Sequence, residues 1–354
     1  MVNKTKILIV RLSAIGDVVH VLPAMRALRA SFPDAYIGWL VEDRVKDLII
    51  GHPDLNEVVF FPRKKWTQGL LNPLSFFKTV REIIHFFRQL RGWKYDIAID
   101  FQGNLRSGVL TFLSGAQKRI GFGRGYCKEF SYLFTNCHVY LDNRKLHKID
   151  KDLALLRPLN IQYNGQKVDI PISSPDREYI SGFLRNNNIA DRPTVVVHPG
   201  TSEFGSYKRW DEENYARLGD MMVNEWDANV IFTWHGSEYD TVKKIVSLMT
   251  RKGIVSCETS IKQLVELIRL ADLFIGGDTG PMQIASILGT PLVAIFGPKD
   301  PTIYGPRSAN SVVVRKDVPC SPCEKRTCNQ PICMELIRPE DVFRAASVIY
   351  EKVV

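Results

Sequence analysis

Two aspartates stand where an α/β chain builds a site. Asp17 closes the turn Ser13-Ala14-Ile15-Gly16-Asp17 after the apolar run Ile7-Leu8-Ile9-Val10, and Asp278 lies within Gly276-Gly277-Asp278-Thr279-Gly280 after Leu273-Phe274-Ile275. A helical pattern follows each turn. Glycine lets the backbone approach a ligand closely, and the helix start offers unpaired N–H groups to an anion. In the second turn, Gly280-Pro281 suits a tight turn entering a helix, so the Thr279 and Gly280 N–H groups are expected to face a phosphate. Asp278 is expected to orient that loop, because its charge repels phosphate. No phosphate-binding glycines follow Asp17, which leaves its carboxylate for proton transfer or for capping the helix. His20 lies one turn further on.

A third strand end, Val196-Val197-His198-Pro199-Gly200-Thr201-Ser202, is followed by Tyr207-Lys208-Arg209-Trp210. Hydroxyls and a lysine in that order suit a diphosphate. The chain has no GxGxxG after its first strand, no Walker A motif and no HExxH, so the dehydrogenase, P-loop and zincin classes lack their fingerprints. The run Cys320, Cys323, Cys328, Cys333 contains the Cys-x2-Cys of many zinc sites, but its remaining spacing matches neither common zinc nor iron–sulfur patterns. Free thiols are the expectation there, with no metal assigned.

Elements must position these groups. The 354 residues favour two domains. Strand signals at Lys6–Leu12, Tyr36–Val41, Glu57–Phe61 and Tyr95–Asp100 alternate with helical ones, which predicts a parallel sheet. The first helix, Val18–Ser31, is expected to be broken early by Pro23. The polar stretch Gln162–Asp176 reads as a linker. The second half alternates likewise, with strands at Thr194–His198, Asn229–Thr233, Leu273–Ile275 and Leu292–Phe296, and ends in an amphipathic helix over Pro339–Val353. The expected organisation is two facing domains, 1–165 and 176–335, with one cleft between them and a helical segment, 336–354, at the end.

The net charge is +9. That points to an anionic partner: a phosphorylated metabolite, a membrane surface or a nucleic acid. No aromatic-basic RNA signature is present, so nucleic acid is not expected. No apolar run reaches the roughly 18 residues of a membrane span, and no signal peptide is visible, which gives a cytoplasmic expectation. Arg63-Lys64-Lys65-Trp66 reads as a loop for phosphate contact. The following helix, Leu74–Arg91, puts Phe77, Val80, Ile84, Phe87 and Arg91 on one stripe; it is read as a crossover helix packed on the sheet, the competing reading being a basic amphipathic helix on an anionic membrane.

These motifs together resemble glycosyltransferase family 9, the ADP-heptose:lipopolysaccharide heptosyltransferases, and within it the heptosyltransferase I branch. The resemblance rests on Arg11–Ala24, Trp39-Leu40-Val41-Glu42, Asp100-Phe101-Gln102-Gly103, His198-Pro199-Gly200 with Lys208-Arg209-Trp210, Gly277–Met282 and Ile295–Pro298. It implies a GT-B fold of two Rossmann-like domains, with the helix of 336–354 returning to the first, and an inverting, metal-independent transfer, without cofactor, of L-glycero-D-manno-heptose from its ADP-sugar to Kdo of the lipid A inner core. It makes Asp17 the general base and Lys208 the diphosphate holder. Thr201, Ser202, Glu238, Thr259, Asp278, Thr279, Gly280 and Gln283 become further donor-binding residues. Arg63, Lys64, Arg124 and Lys128 fall to the acceptor. Gln283 stands where the family often has His, and Lys128 where arginine occurs. The expected setting is peripheral, on the cytoplasmic face of the inner membrane, where lipid A phosphates explain the positive charge. The competing expectations are a heptosyltransferase of type II or III, or another GT-B transferase with a different acceptor or nucleotide sugar. More remote is a non-catalytic basic protein that binds membranes or nucleic acid.

Overall fold

The computed structural model describes residues 4–189, 192–201, 203–323, 325 and 327–351. The chain forms two compact units, Met1–Pro171 and Ile172–Val354, so their boundary falls inside the expected linker.

The first unit runs β1 (Lys6–Val10), α1 (Ile15–Ser31), β2 (Tyr36–Glu42), β3 (Glu57–Phe61), α2 (Arg63–Leu71), α3 (Phe76–Gly92), β4 (Ile97–Asp100), α4 (Leu105–Leu113), β5 (Lys118–Phe122), β6 (Cys137–Val139) and α5 (Lys148–Ala154). Its strands form one six-stranded sheet in the order β3-β2-β1-β4-β5-β6, every pairing parallel. Strands covered on both faces must be apolar throughout, and Ile7, Leu8, Ile9 and Val10 are fully buried.

The second unit runs α6 (Ser174–Asn186), β7 (Thr194–His198), α7 (Glu212–Trp226), β8 (Asn229–Phe232), α8 (Glu238–Leu248), β9 (Ile254–Val255), α9 (Ile261–Leu270), β10 (Leu273–Gly277), α10 (Gly280–Leu288), β11 (Leu292–Ile295), α11 (Pro301–Tyr304), β12 (Ser311–Val314), α12 (Ile332–Glu335) and α13 (Pro339–Tyr350). Its sheet, read from β9, has the order β9-β8-β7-β10-β11-β12, again all parallel. Both sheets therefore share the 3-2-1-4-5-6 order of the dinucleotide-binding fold. Each has a switch point, between β1 and β4 in one and between β7 and β10 in the other, where ligands bind beyond the carboxyl ends of the strands.

Several expectations change. α1 is not broken by Pro23: it runs unbroken through Pro23, which is buried within it. Arg63–Trp66 is not a loop but the first turn of α2. Trp66 anchors that turn: its buried ring meets Phe61 and Phe86 edge-on at 5.4 and 5.2 Å. The C-terminal helix belongs with the second unit rather than the first. α13 packs on α7, β11 and β12, burying Val342, Ala346 and Ile349 in the second core. Trp226 stacks on its Phe343 and Tyr350 at 4.9 and 4.6 Å. Among the described residues no helix is long and apolar enough to cross a membrane.

Candidate functional site

In the first unit the chain leaves β1 at Arg11, a buried residue whose guanidinium spans the switch point. Its Nη1 donates to the Phe101 carbonyl at the end of β4 (2.5 Å), and its Nη2 pairs with the Asp17 carboxylate at 2.7 Å. The Asp17 side chain keeps 36% exposure, so it is held yet reachable. Its other oxygen accepts from the Ala14 N–H at 3.3 Å across the first turn of α1. Burial by itself raises an aspartate pKa, but here Arg11, then Lys148, His20 and the Ala14 N–H outweigh it and hold Asp17 below the ordinary range. Asp17 is thus ionised at neutral pH, as a proton acceptor must be. His20 is buried, with its ring edge-on to His147 at 6.0 Å.

The β4 loop is built to face this group. The Asp100 carboxylate accepts from the Gln102 and Gly103 N–H groups (3.0 and 2.9 Å) and from the Ser107 hydroxyl (3.0 Å). Gln102 in turn accepts from the Leu12 N–H at 3.1 Å, tying this loop to the one after β1. Burial pushes Asp100 up to about 6, against those hydrogen bonds.

α5 packs on α1 and carries Lys148, Lys151 and the buried Asp152. Burial pushes Asp152 up to about 7. Arg11 opposes this and the Asp17 charge adds to it. A carboxyl whose folded pKa is raised contributes its full stability below its unfolded value of 3.8, and that contribution is lost as the pH rises toward 7. Asp152→Asn is therefore expected to flatten the stability loss between pH about 4 and about 8, by a few kcal/mol. Urea unfolding at the two pH values checks this, and an unchanged pH dependence counts against it.

The four expected acceptor residues lie beyond strand ends of the same sheet. Arg63 opens α2 just after β3, and its Nη1 lies 3.6 Å from Glu42 at the end of β2, which also takes Arg106 at 3.2 Å. Lys64 is exposed beside it. Arg124 and Lys128 are exposed in the loop after β5, and the Lys128 N–H fixes that loop to the Gly103 carbonyl at 2.7 Å. Burial depresses Lys151, and the charges of Lys148, Arg11 and Lys128 add to this against Asp152.

In the second unit the β10 turn leads into α10, whose N-cap is Thr279 and whose first turn holds Gly280 and Pro281. Lys208, at the end of a short 3-10 turn, pairs with the Asp278 carboxylate and lies 3.5 Å from its carbonyl oxygen. The expected repulsion between Asp278 and a phosphate is thereby neutralised. The ammonium has three protons, and Asp278 does not use all of them. After β7, the buried Thr201 accepts from Arg209 Nε at 3.0 Å through its hydroxyl, which leaves the Thr201 O–H to donate. Ser202 lies outside the described residues. Glu238, at the first position of α8, accepts from the His235 N–H at 2.9 Å. Burial raises its pKa, against the His235 N–H and Arg209. A Cβ on Gly200 would lie 2.3 Å from that carboxyl group, so only glycine leaves it in place. Thr259 is half-buried just ahead of the α9 N-cap. Gln283 is buried, and its Nε2 donates to the Tyr304 carbonyl at 2.7 Å, which braces α10 against α11.

All seven cysteines are free thiols. Cys333 is buried in the second core, while Cys320 and Cys328 are exposed. Among the described residues no group of three or more His, Cys, Asp or Glu is arranged to hold a metal ion.

Two doubly wound parallel units in succession match the GT-B architecture. Solved structures carry the same fold: a family 9 glycosyl transferase from Veillonella parvula has a TM-score of 0.81 at 21% identity, covering 98% of this chain and 97% of that one. The E. coli heptosyltransferase WaaC with ADP has a TM-score of 0.78 at 20% identity, covering 98% and 100%. The sequence narrows the class. The profile of glycosyltransferase family 9 (heptosyltransferase) matches residues 83–333, and the chain belongs to that family. Relatives include the lipopolysaccharide core heptosyltransferase OpsX of Haemophilus influenzae, 26% identical over 84% of this chain and 80% of that protein. Lipopolysaccharide heptosyltransferase 1 of Pseudomonas aeruginosa is 24% identical over 95% and 96%. Lipopolysaccharide heptosyltransferase 2 of E. coli is 27% identical over 88% of each.

Proposed function

We propose that this glycosyltransferase moves L-glycero-D-manno-heptose from ADP-heptose to Kdo on the lipid A inner core, with inversion, at the cytoplasmic face of the inner membrane. The observation that carries the reading is the placement of the motifs. An ionised, reachable carboxylate stands at the β1/β4 switch point, and a lysine-braced helix start stands at the β7/β10 switch point.

The acceptor hydroxyl ionises far above neutral pH, so it needs a base as the new bond forms. Asp17 takes that proton, and Arg11 keeps its carboxylate ionised and aimed. As the bond to the sugar breaks, charge develops on the ADP diphosphate. Lys208 and the N–H groups at Thr279 and Gly280 meet that charge. The Thr201 hydroxyl donates to the same group, and the Glu238 carboxylate accepts from a ribose hydroxyl. Arg63, Lys64, Arg124 and Lys128 supply positive charge for the phosphates and acid groups of the acceptor. The solved WaaC structure with ADP supports the donor assignment. Relatives bearing the numbers 1 and 2 make a different first acceptor the alternative. The deciding experiment is a transfer assay with ADP-heptose that offers Kdo-bearing lipid A beside lipid A already carrying one heptose. Transfer to the second alone would overturn the acceptor, and transfer to neither would overturn the reaction.

Gly200→Ala tests the Glu238 role. The added methyl pushes aside only the end of a side chain, so the melting temperature is expected to hold. The donor KM is expected to rise about tenfold, the effect of misplacing one hydrogen bond to a charged group. An unchanged KM removes Glu238 from the donor site.

A further inference from the structure

The crossover expected to pack on the sheet does so over only part of its length. Phe86, Phe87 and Leu90 in the last turns of α3 join the core formed by β1, β2 and β4. The other end projects. Leu71 at the end of α2 is 81% exposed, Leu74 in the connecting turn 97%, and Phe77 in the first turn of α3 84%, with Phe76 and Leu70 near 40% beside them. The turn is well formed: the Ser75 hydroxyl donates to the Gly69 carbonyl and the Leu74 N–H to Asn72 Oδ1, both at 3.0 Å. Five large apolar side chains within eight residues, held out by a built turn, make a patch that water disfavours.

The charge around the patch says what covers it. Residues 63–92 hold seven Lys and Arg against one acid, Glu82, which is +6 of the chain's +9. Phe77, Arg81, Ile84 and Arg88 recur at helical spacing on the exposed side of α3. Arg81 thus stands about one turn, some 6 Å, above Phe77. That offset matches an apolar face sunk about 5–10 Å into the boundary of acyl chains and headgroups, with cations level with the phosphates. A second copy of the chain on this face would set +6 against +6, so self-association is the poorer fit.

We propose that the α2–α3 hairpin is the membrane-entering element of this protein, its Leu71–Phe77 tip inserting into an anionic lipid bilayer and Lys78, Arg81 and Arg88 engaging lipid phosphates. The inference rests on the reading of a lipid-anchored acceptor, which requires the enzyme to work at a bilayer. The test uses the full chain with vesicles of phosphatidylethanolamine and phosphatidylglycerol, or of phosphatidylcholine alone, in flotation without donor or acceptor. The wild type is expected to float with the anionic vesicles. Leu71→Ser with Phe77→Ser is expected to lower apparent affinity by more than about tenfold. Lys78→Glu with Arg81→Glu is expected to abolish the preference for anionic lipid. Both variants are expected to melt like the wild type and to keep its rate on a deacylated, soluble acceptor. The proposal fails if the wild type stays out of anionic vesicles, or if the apolar variant binds them as well as the wild type. It also fails if the tip instead mediates dimers that the variant dissolves, or binds RNA in place of lipid. Flotation is read without turnover and soluble transfer without lipid, so a failed hairpin and a failed transferase reading give different results.

Discussion

Asp17→Asn is expected to retain the fold and ADP binding and to lose about 10²–10⁴-fold in kcat, the usual contribution of a positioned base. The amide is isosteric and still meets the Ala14 N–H, so the first turn of α1 survives. What disappears is the lone pair that receives the acceptor proton. The pH profile sharpens the test. Arg11 and Lys148, with His20 and the Ala14 N–H, hold the Asp17 pKa below the ordinary carboxylate range despite burial. The acid limb of kcat/KM should therefore fall below that range, and activity should persist as the pH drops toward it. Arg11→Lys weakens the paired fork and is expected to move that limb upward. A merely structural Asp17 would lower stability without moving the limb. Near-normal turnover of Asp17→Asn ends the base assignment.

Lys208→Ala is expected to reduce kcat/KM for the donor about 10²-fold while leaving acceptor KM unchanged. The Lys208 and Asp278 side chains are only 19% and 15% exposed, so truncation strands a largely buried carboxylate at the mouth of the α10 helix start. Two losses then coincide: the cation that meets the diphosphate, and the neutralisation of Asp278, which now repels the ligand. Asp278→Asn in the Lys208→Ala background separates them. It is expected to recover part of the donor affinity, because it removes the stranded charge without restoring the cation. Unchanged donor kinetics in Lys208→Ala, or no recovery in the double variant, would sink this account.

The groups legible in the sequence are those whose signal is local. Asp17, Lys208 and the Gly280-Pro281 helix start each sit in a strand-turn-helix phrase a few residues long. The buried apolar runs of β1, β7 and β10 announce themselves for the same reason. β5 and β6 do not, because β5 opens with Lys118-Arg119 and carries Gly121, and β6 has three residues. Asp152 and Lys148 were illegible as site residues because only the packing of α5 on α1 brings them to Asp17. Arg11 and Gln102 stood within recognised phrases, but that they join the β1 and β4 loops is a tertiary fact. The repeated Gly-Asp turn also needed the topology. Asp17 follows the first strand of its sheet and Asp278 the fourth, so the counterpart of Gly16-Asp17 is His198-Pro199-Gly200, and that of Asp278 is the loop at Asp100. The exposed tip at Leu74 was hidden by its own periodicity, since an apolar stripe reads the same whether it faces a sheet or a bilayer.

The shared strand order has a consequence for how such a protein changes over time. Each sheet closes its own core and ends at its own switch point, so the loops after β3 and β5 can vary in length and charge without disturbing the turn after β10. A lineage that must follow a changing acceptor while keeping one activated sugar can then rewrite half of its chain and leave the other half untouched. Under the proposed roles, a change of acceptor asks for changes in the first unit, and a kept activated sugar asks for none in the second.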